Sequence, residues 1–270
     1  MEAVTNEKSR REFLTAALGM AAGAVALSGC KTDTPPRGEG VKAGAFGTRP
    51  GMIIDTRRCV GCKACTVACK AENHTPPGVA YCWVTEEAKG QYPVLSRLFQ
   101  SQRCNQCANP PCVPVCPVDP DAKGHRATWK RDEDGIVVID YDRCIGCGQC
   151  VDACPYGARS LDEGKSYYSS PTAYEGQASP EYALYLKREA GKPPIDKARK
   201  CTFCLHRVTN GLPPSCAATC MGHAIHFGDL GDPEATCLAH GENLRDILGS
   251  GKATRLKEEK GTEPAIYYLT

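Results

Sequence analysis

Sixteen of the nineteen cysteines stand in four quartets. They read Cys59-x2-Cys62-x2-Cys65-x3-Cys69, Cys104-x2-Cys107-x4-Cys112-x3-Cys116-Pro117, Cys144-x2-Cys147-x2-Cys150-x3-Cys154-Pro155 and Cys201-x2-Cys204-x11-Cys216-x3-Cys220. A short loop carrying three thiolates can wrap three corners of a four-iron cube. The fourth corner faces away and takes a thiolate from elsewhere in the chain. Four such runs predict four [4Fe–4S] clusters, and so a protein that conducts electrons one at a time. Gly61, Gly146 and Gly148 let the backbone come close to a cube. The cysteine after x3 is expected to start a helix, with Pro117 and Pro155 setting φ for its first turn. Lys70 and Met221 hold the corresponding places in the other two quartets.

Two other readings compete for these thiols. A disulfide framework suits an exported chain of this cysteine density, but three thiols within seven residues suit one shared centre better, and an odd total leaves one unpaired. Structural zinc closes a tetrahedron with two Cys-x2-Cys pairs and has no use for a trio followed by a fourth Cys after x3. The first and third quartets have the spacing of bacterial two-cluster ferredoxins, which favours iron–sulfur clusters.

The elements that must position the quartets are short. Met52-Ile53-Ile54 and Ile136-Val137-Val138-Ile139 read as strands, each feeding a glycine-rich loop and then a short helix. Ile54-Asp55-Thr56-Arg57-Arg58-Cys59-Val60-Gly61-Cys62 resembles Ile139-Asp140-Tyr141-Asp142-Arg143-Cys144-Ile145-Gly146-Cys147. The second and fourth quartets each carry a Pro-Pro pair before a late cysteine, Pro110-Pro111 and Pro213-Pro214. The sequence therefore reads as a duplicated two-motif unit. The fold class is α+β, with duplicated two-cluster ferredoxin-like units, long connecting loops and clusters filling much of the space of an apolar core. Two connections are long, Lys70 to Arg103 and Leu161 to Lys200. The second carries Tyr167, Tyr168, Tyr174, Tyr182 and Tyr185, which serve either a docking surface or local packing.

Charge says less. The formal balance is +2, and four thiolate-ligated cubes of about two negative charges each would make the loaded protein acidic. Lys63, Lys70, Arg103, Arg143, Lys200 and Arg207 stand within a few positions of candidate ligands. They can favour the reduced form of a cluster, although a solvated charge is the commoner role. The basic residues are scattered, and no stripe suggests nucleic acid. His74, His125, His206, His223, His226 and His240 show no ligand pattern. There is no phosphate loop, dinucleotide fingerprint or nucleophile constellation, so no catalytic residue is assigned. Cys82 and Cys237 belong to no quartet and read as buried small residues; a disulfide between them is the weaker alternative.

Residues 1–29 read as an address. Ser9-Arg10-Arg11-Glu12-Phe13-Leu14 is a twin-arginine signature, and the apolar run Thr15 to Leu27 is short and rich in Gly and Ala, as a signal h-region is. Twin-arginine export carries folded proteins, which suits a polypeptide loaded with clusters before it leaves the cytoplasm. Leu27-Ser28-Gly29-Cys30 resembles a lipobox, which makes Cys30 a lipidation site. Ordinary cleavage after Ala24-Val25-Ala26 is the alternative. Residues 30–48 are Gly/Pro-rich and polar, as a flexible tether is, and 49–270 form the four-cluster electron-transfer domain.

The quartets, their order, the run from Cys104 to Pro117, and Cys154-Pro155-Tyr156-Gly157 resemble the iron–sulfur subunit of the molybdopterin oxidoreductase (dimethyl-sulfoxide reductase) superfamily. The tail from Gly261-Thr262-Glu263-Pro264 to Tyr267-Tyr268-Leu269 resembles that of tetrathionate, polysulfide and arsenate reductase electron-transfer subunits. The resemblance implies nested ligand sets: Cys59, Cys62, Cys65 and Cys220; Cys69, Cys201, Cys204 and Cys216; Cys104, Cys107, Cys112 and Cys154; Cys116, Cys144, Cys147 and Cys150. Some relatives replace a third-quartet ligand, but Cys144, Cys147, Cys150 and Cys154 are all present here. It also implies a non-catalytic relay between a quinone-linked membrane subunit and a molybdopterin catalytic subunit. That relay would lie on the periplasmic side of the cytoplasmic membrane. A standalone periplasmic polyferredoxin is the alternative, as is a relay subunit of a hydrogenase or cytochrome nitrite reductase system.

Overall fold

The computed structural model describes residues 49–166, 179–181, 191–232 and 234–270. The leader, the tether with Cys30, and Tyr167, Tyr168, Tyr174, Tyr182 and Tyr185 lie outside the described residues.

The strands explain how four separated quartets can meet. β1 (Pro50–Asp55) leads into the first quartet and β2 (Cys82–Gln91) leaves it; β3 (Val94–Arg103) leads into the second and β4 (Thr128–Lys130) leaves it. β5 (Val137–Ile139) and β6 (Arg159–Leu161) flank the third quartet, as β7 (Ala198–Lys200) and β8 (Ile225–Asp229) flank the fourth. The antiparallel pairs are β1 with β8, β2 with β3, β4 with β5 and β6 with β7. Each pair therefore joins the strand leaving one quartet to the strand leading into another. The β1–β8 pair brings the first and fourth quartets together, and the β4–β5 pair the second and third.

β1 is buried along its whole length because it is the inner strand of a sheet ordered β8-β1-β10-β9, with β9 (Ala253–Thr254) and β10 (Ile266–Leu269) completing it. A strand covered on both faces needs an unbroken apolar run, which Met52-Ile53-Ile54 supplies. The strand period of two splits that run between faces. Met52 and Ile54 pack with Phe203, Phe227, Ile266 and Tyr268, in the same cluster as Cys65, Cys69, Cys104, Cys201 and Cys216. Ile53 packs on the other face with Leu269, Cys237, Leu244 and Ile247. Leu244 and Ile247 come from a short helix, Leu244–Gly249, whose N-cap Asn243 accepts from the Arg245 and Asp246 amides. Burying each large apolar residue of β1 contributes roughly 1.5–3 kcal/mol. Among the described residues, no helix is long and apolar enough to cross a membrane.

Two expectations change. The segment from Lys70 to Arg103 is largely a hairpin of two ten-residue strands, β2 and β3, paired from Cys82↔Arg103 to Gln91↔Val94. Its outer part is exposed on both faces, Val94 and Leu95 included, so its sequence lacks the alternation that marks a strand. The cysteine after x3 does not start a helix either. Cys69 lies inside α1 (Ala64–Asn73), and Cys154 and Cys220 follow α2 (Gln149–Asp152) and α4 (Ser215–Ala218); α3 (Leu205–Val208) follows Cys204. The helical turn begins at or just before the third cysteine, and the fourth stands at its far end. Pro155 follows the α2 turn and cannot continue a helix. Cys116 closes a turn in which its amide donates to the Val113 carbonyl, 3.2 Å away.

Candidate metal centres

The Cys-x2-Cys loops share one backbone feature. The residue before the second cysteine is left-handed in all four: Gly61 (φ 71°), Gln106 (46°), Gly146 (70°) and Phe203 (57°). Glycine adopts this conformation freely, whereas Gln106 and Phe203 carry a cost of about 1–2 kcal/mol each. Packing offsets it. The Gln106 amide donates to the Cys201 carbonyl at 2.7 Å and accepts from the Val137 amide at 2.8 Å. Phe203 is wholly buried, edge-on to Phe227 at 5.4 Å.

These loops and the helical turns gather the sixteen quartet cysteines into four sets. Cys59, Cys62, Cys65 and Cys220 line one pocket. Cys116, Cys144, Cys147 and Cys150 line another. Cys69 is pushed up by burial and by Cys201, Cys216 and Cys204 around it. Burial, with Cys104, Cys112 and Cys154 nearby, pushes Cys107 up to about 12. The structure thus brings together the same cysteines that the nested arrangement groups. Sequence order alone, first quartet with second, would group them differently.

The sets also have neighbours. Ser101 and Arg103 bridge Cys65 of the first to Cys216 of the second, and Gln106, next to Cys107 of the third, bonds the Cys201 carbonyl of the second. Arg159 bonds Cys112 of the third and lines the pocket of the fourth beside Cys150. The four sets therefore form a series. All cysteines of the second set are buried, as are Cys104, Cys107 and Cys112 of the third, whereas Cys62 of the first and Cys147 of the fourth are exposed.

The donor set fits clusters. Burial and mutual repulsion hold Cys201 and Cys204 at about 12 and Cys216 at about 11, so such a group ionises readily only around a cation. Among the described residues no three His, Cys, Asp or Glu side chains converge closely enough to share a single metal ion. In the first and fourth sets the sulfurs line a space instead, as the separated corners of a multi-iron cube require. All described cysteines are free, so no disulfide joins Cys82 to Cys237. Cys237 lies under β1, while Cys82 stands beside the first set. A hydrogen bond from Cys82 draws the Cys65 thiol down to about 5 against the effect of burial, with Ser101 and Arg103 adding to it.

Other candidates fall into place around the sets. Of the bases near ligands, Arg103 and Lys200 are buried. Arg143 instead donates to the Asp119 and His125 carbonyls, and Arg207 pairs with Glu72. His223 stacks on His240 at 3.9 Å and His226 contacts Glu242, which suits structural histidines. The tail ties the loops together: Ala265 donates to the Asn105 carbonyl at 2.8 Å, and Ala108 donates to the Glu263 carbonyl at 2.9 Å. Arg159 escaped the sequence reading; its one signal was a basic residue five positions beyond Cys154.

Short strand–loop–helix units with cysteine sets of this kind define a ferredoxin-type iron–sulfur protein. A 4Fe-4S dicluster domain model matches residues 95–170, a second matches 136–221, and a 4Fe-4S binding domain matches 50–71. A selenate reductase subunit of Mesobacillus selenatarsenatis is 46% identical over 81% of this chain and 71% of its own length. A tetrathionate reductase subunit of Salmonella typhimurium is 38% identical over 98% of this chain and 90% of its own. A polysulfide reductase polypeptide of Wolinella succinogenes is 34% identical over 81% of this chain and 93% of its own. The protein belongs to the family of iron–sulfur electron-transfer subunits of molybdopterin-type respiratory reductases.

Proposed function

We propose that this protein is an exported relay that carries electrons through four [4Fe–4S] clusters. The relay runs between a quinone-linked membrane subunit and a molybdopterin catalytic subunit. The four nested sets would be the ligands, held in two duplicated ferredoxin-like units. When bound, each cluster supplies a one-electron centre. The thiolates fix the clusters in a series, and the buried middle sets keep water from the interior of the path.

The carrying observation is that the exposed thiols, Cys62 and Cys147, belong to the first and last sets of the series. A conductor needs access at both ends and insulation between them. Exposed apolar residues border both ends, Val60 and Val67 beside the first set and Ile145 beside the last. Apolar surface around an access point is what a docking protein partner covers. The family resemblance assigns the first set to the catalytic side and the last to the quinone side.

Anaerobic purification tests the reading. About sixteen irons and sixteen acid-labile sulfides per polypeptide are expected, four of each per cube, together with co-purification of a large pterin-containing partner. Stoichiometric zinc with little sulfide would sink it. For the address, changing Arg10 and Arg11 to Lys should trap a loaded precursor in the cytoplasm. Mass spectrometry of the mature N-terminus should find a lipidated Cys30; an unmodified chain starting at Leu27 excludes the lipid anchor.

A further inference from the structure

Two arginines occupy matching places between cysteine sets. Arg103 is 1% exposed and Arg159 is 3% exposed. Arg103 Nη1 donates to Cys216 Sγ of the second set at 2.9 Å. Its Nη2 donates to Ser101 Oγ, which lies 3.5 Å from both Cys65 Sγ of the first set and Cys82 Sγ. Arg159 Nη2 donates to Cys112 Sγ of the third set and to Thr128 Oγ1, both at 3.0 Å, and Arg159 also lines the pocket of the fourth set with Cys116, Cys144, Cys147 and Cys150. The thiols whose ionised forms would act on Arg103 are Cys82, Cys216, Cys201 and Cys65, and on Arg159 Cys112, Cys150 and Cys104.

A guanidinium stays protonated at any working pH, and a buried one without an anion costs several kcal/mol. The buried arginine Arg199 meets that cost with Asp162 and Glu181. Arg103 and Arg159 face sulfur instead, and Arg103 Nε, Arg159 Nε and Arg159 Nη1 have no hydrogen-bond partner among the described residues. Cationic groups with spare N–H donors, wedged between two thiolate-rich sites, match anions that are not carboxylates. Given the reading of the four sets as cluster sites, the missing anions are the clusters themselves.

We propose that Arg103 and Arg159 are shared counter-ions, each placed between the two clusters of one pair, that stabilise the reduced form of both. One electron arrives at a cluster, no proton moves, and the fixed positive charge offsets the added negative charge through N–H···S bonds. Because one guanidinium serves two clusters, it raises both potentials and keeps the pair matched for transfer. Arg103 acts with Ser101 and Cys82 on the first and second clusters, and Arg159 acts on the third and fourth. They are positioning residues and touch no substrate.

EPR-monitored redox titration of the purified, iron-loaded protein tests this, with Arg103→Gln, Arg103→Lys, Arg159→Gln and Arg159→Lys. Arg103→Gln should lower two cluster potentials by at least a tenfold change in the one-electron equilibrium, about 59 mV. The other two should stay in place. Arg159→Gln should lower the complementary two. The Lys variants keep the charge and should hold the potentials close to the parent. Unchanged potentials in both Gln variants at full iron content overturn the proposal, as does a shift confined to one cluster. Where a Gln variant loses iron, its Lys variant decides: retained iron with parental potentials supports a charge role, and a shift as large as the other Gln variant's refutes it. A parent protein with fewer than four clusters would instead overturn the four-cluster reading, whatever the arginines do.

Discussion

The side-chain amide of Gln106 donates to the Cys201 carbonyl at 2.7 Å, joining the Cys-x2-Cys loops of the second and fourth quartets. The same amide accepts from Val137 at the start of β5. These bonds sit where Cys104 of the third set meets Cys201 of the second, at the middle of the series. They explain why a non-glycine residue holds a left-handed conformation there.

Gln106→Gly separates backbone relief from the lost bonds. Removing the side chain relieves about 1–2 kcal/mol of left-handed strain. It also leaves the buried Val137 N–H unsatisfied, at about 1–3 kcal/mol, and takes from the Cys201 carbonyl one of its two donors, the other being Lys200 Nζ. The loss should win: Gln106→Gly should lower the thermal midpoint of the loaded protein, measured by circular dichroism. A gain in midpoint would show that the bonds contribute less than the strain costs.

The quartets and the strands before the first and third were legible because both signals are local: a fixed spacing, and an unbroken apolar run such as that of β1. What escaped depends on distant partners. Nothing near Gln106 or Phe203 marks a left-handed residue, since the compensation comes from Cys201, Val137 and Phe227 far along the chain. The β2–β3 hairpin escaped because its outer strands bury neither face, and Arg159 because a lone arginine carries no pattern. The helix expectation failed for a local reason: three thiols wrapped around one centre already require the turn at the third cysteine, which leaves the fourth at its end.

Gly146 should tolerate no side chain. A Cβ there would stand 1.9 Å from the Asp196 carbonyl oxygen, and φ is +70°. Gly61, its counterpart, would meet the Phe99 ring at 2.5 Å. Backbone cannot yield as a side chain can, so Gly146→Ala should lose about four irons, one cube, from the loaded protein. Gly61→Ala should lose less, and Phe99→Ala in the same molecule should recover part of that loss. Iron and sulfide assays read the outcome, and equal losses in both single variants would contradict the steric argument.

Arg199 should be a stability residue with no part in conduction. Its guanidinium is fully buried, pairing with Asp162 at 3.0 Å and Glu181 at 3.1 Å and donating to Tyr81 Oη at 2.8 Å. These groups tie the strand after the third quartet, the segment after α1 and residues 179–181 into one knot. Arg199→Met leaves two carboxylates without this partner and should cost roughly 3–5 kcal/mol. Unfolding that releases clusters is irreversible, so the readout is the rate of loss of the cluster absorbance on heating. Unchanged cluster potentials are the companion result.

The sharpest test of the nesting uses the cysteine at the end of each quartet. Cys116 ends the second quartet in sequence but lines the pocket of Cys144, Cys147 and Cys150, while Cys154 stands with Cys104, Cys107 and Cys112. Sequence proximity would make Cys116→Ser damage the cluster of Cys104 and Cys107. On the proposed nesting it should damage instead the cluster of Cys144 and Cys147, whose Cys147 is exposed. Likewise, Cys220→Ser should disturb the set with exposed Cys62, because Cys220 lines that cavity. Serine is a poorer ligand for iron than a thiolate, so the altered cluster should be lost or changed in its EPR signal while its neighbours persist. The exposed end sets can be identified by quenching with a soluble paramagnetic relaxant. Cys116→Ser and Cys220→Ser should each remove a relaxant-sensitive signal, and Cys154→Ser and Cys69→Ser should each remove a protected one. The reverse pattern would mean that each quartet closes on its own cube, and the series of sets would have to be redrawn.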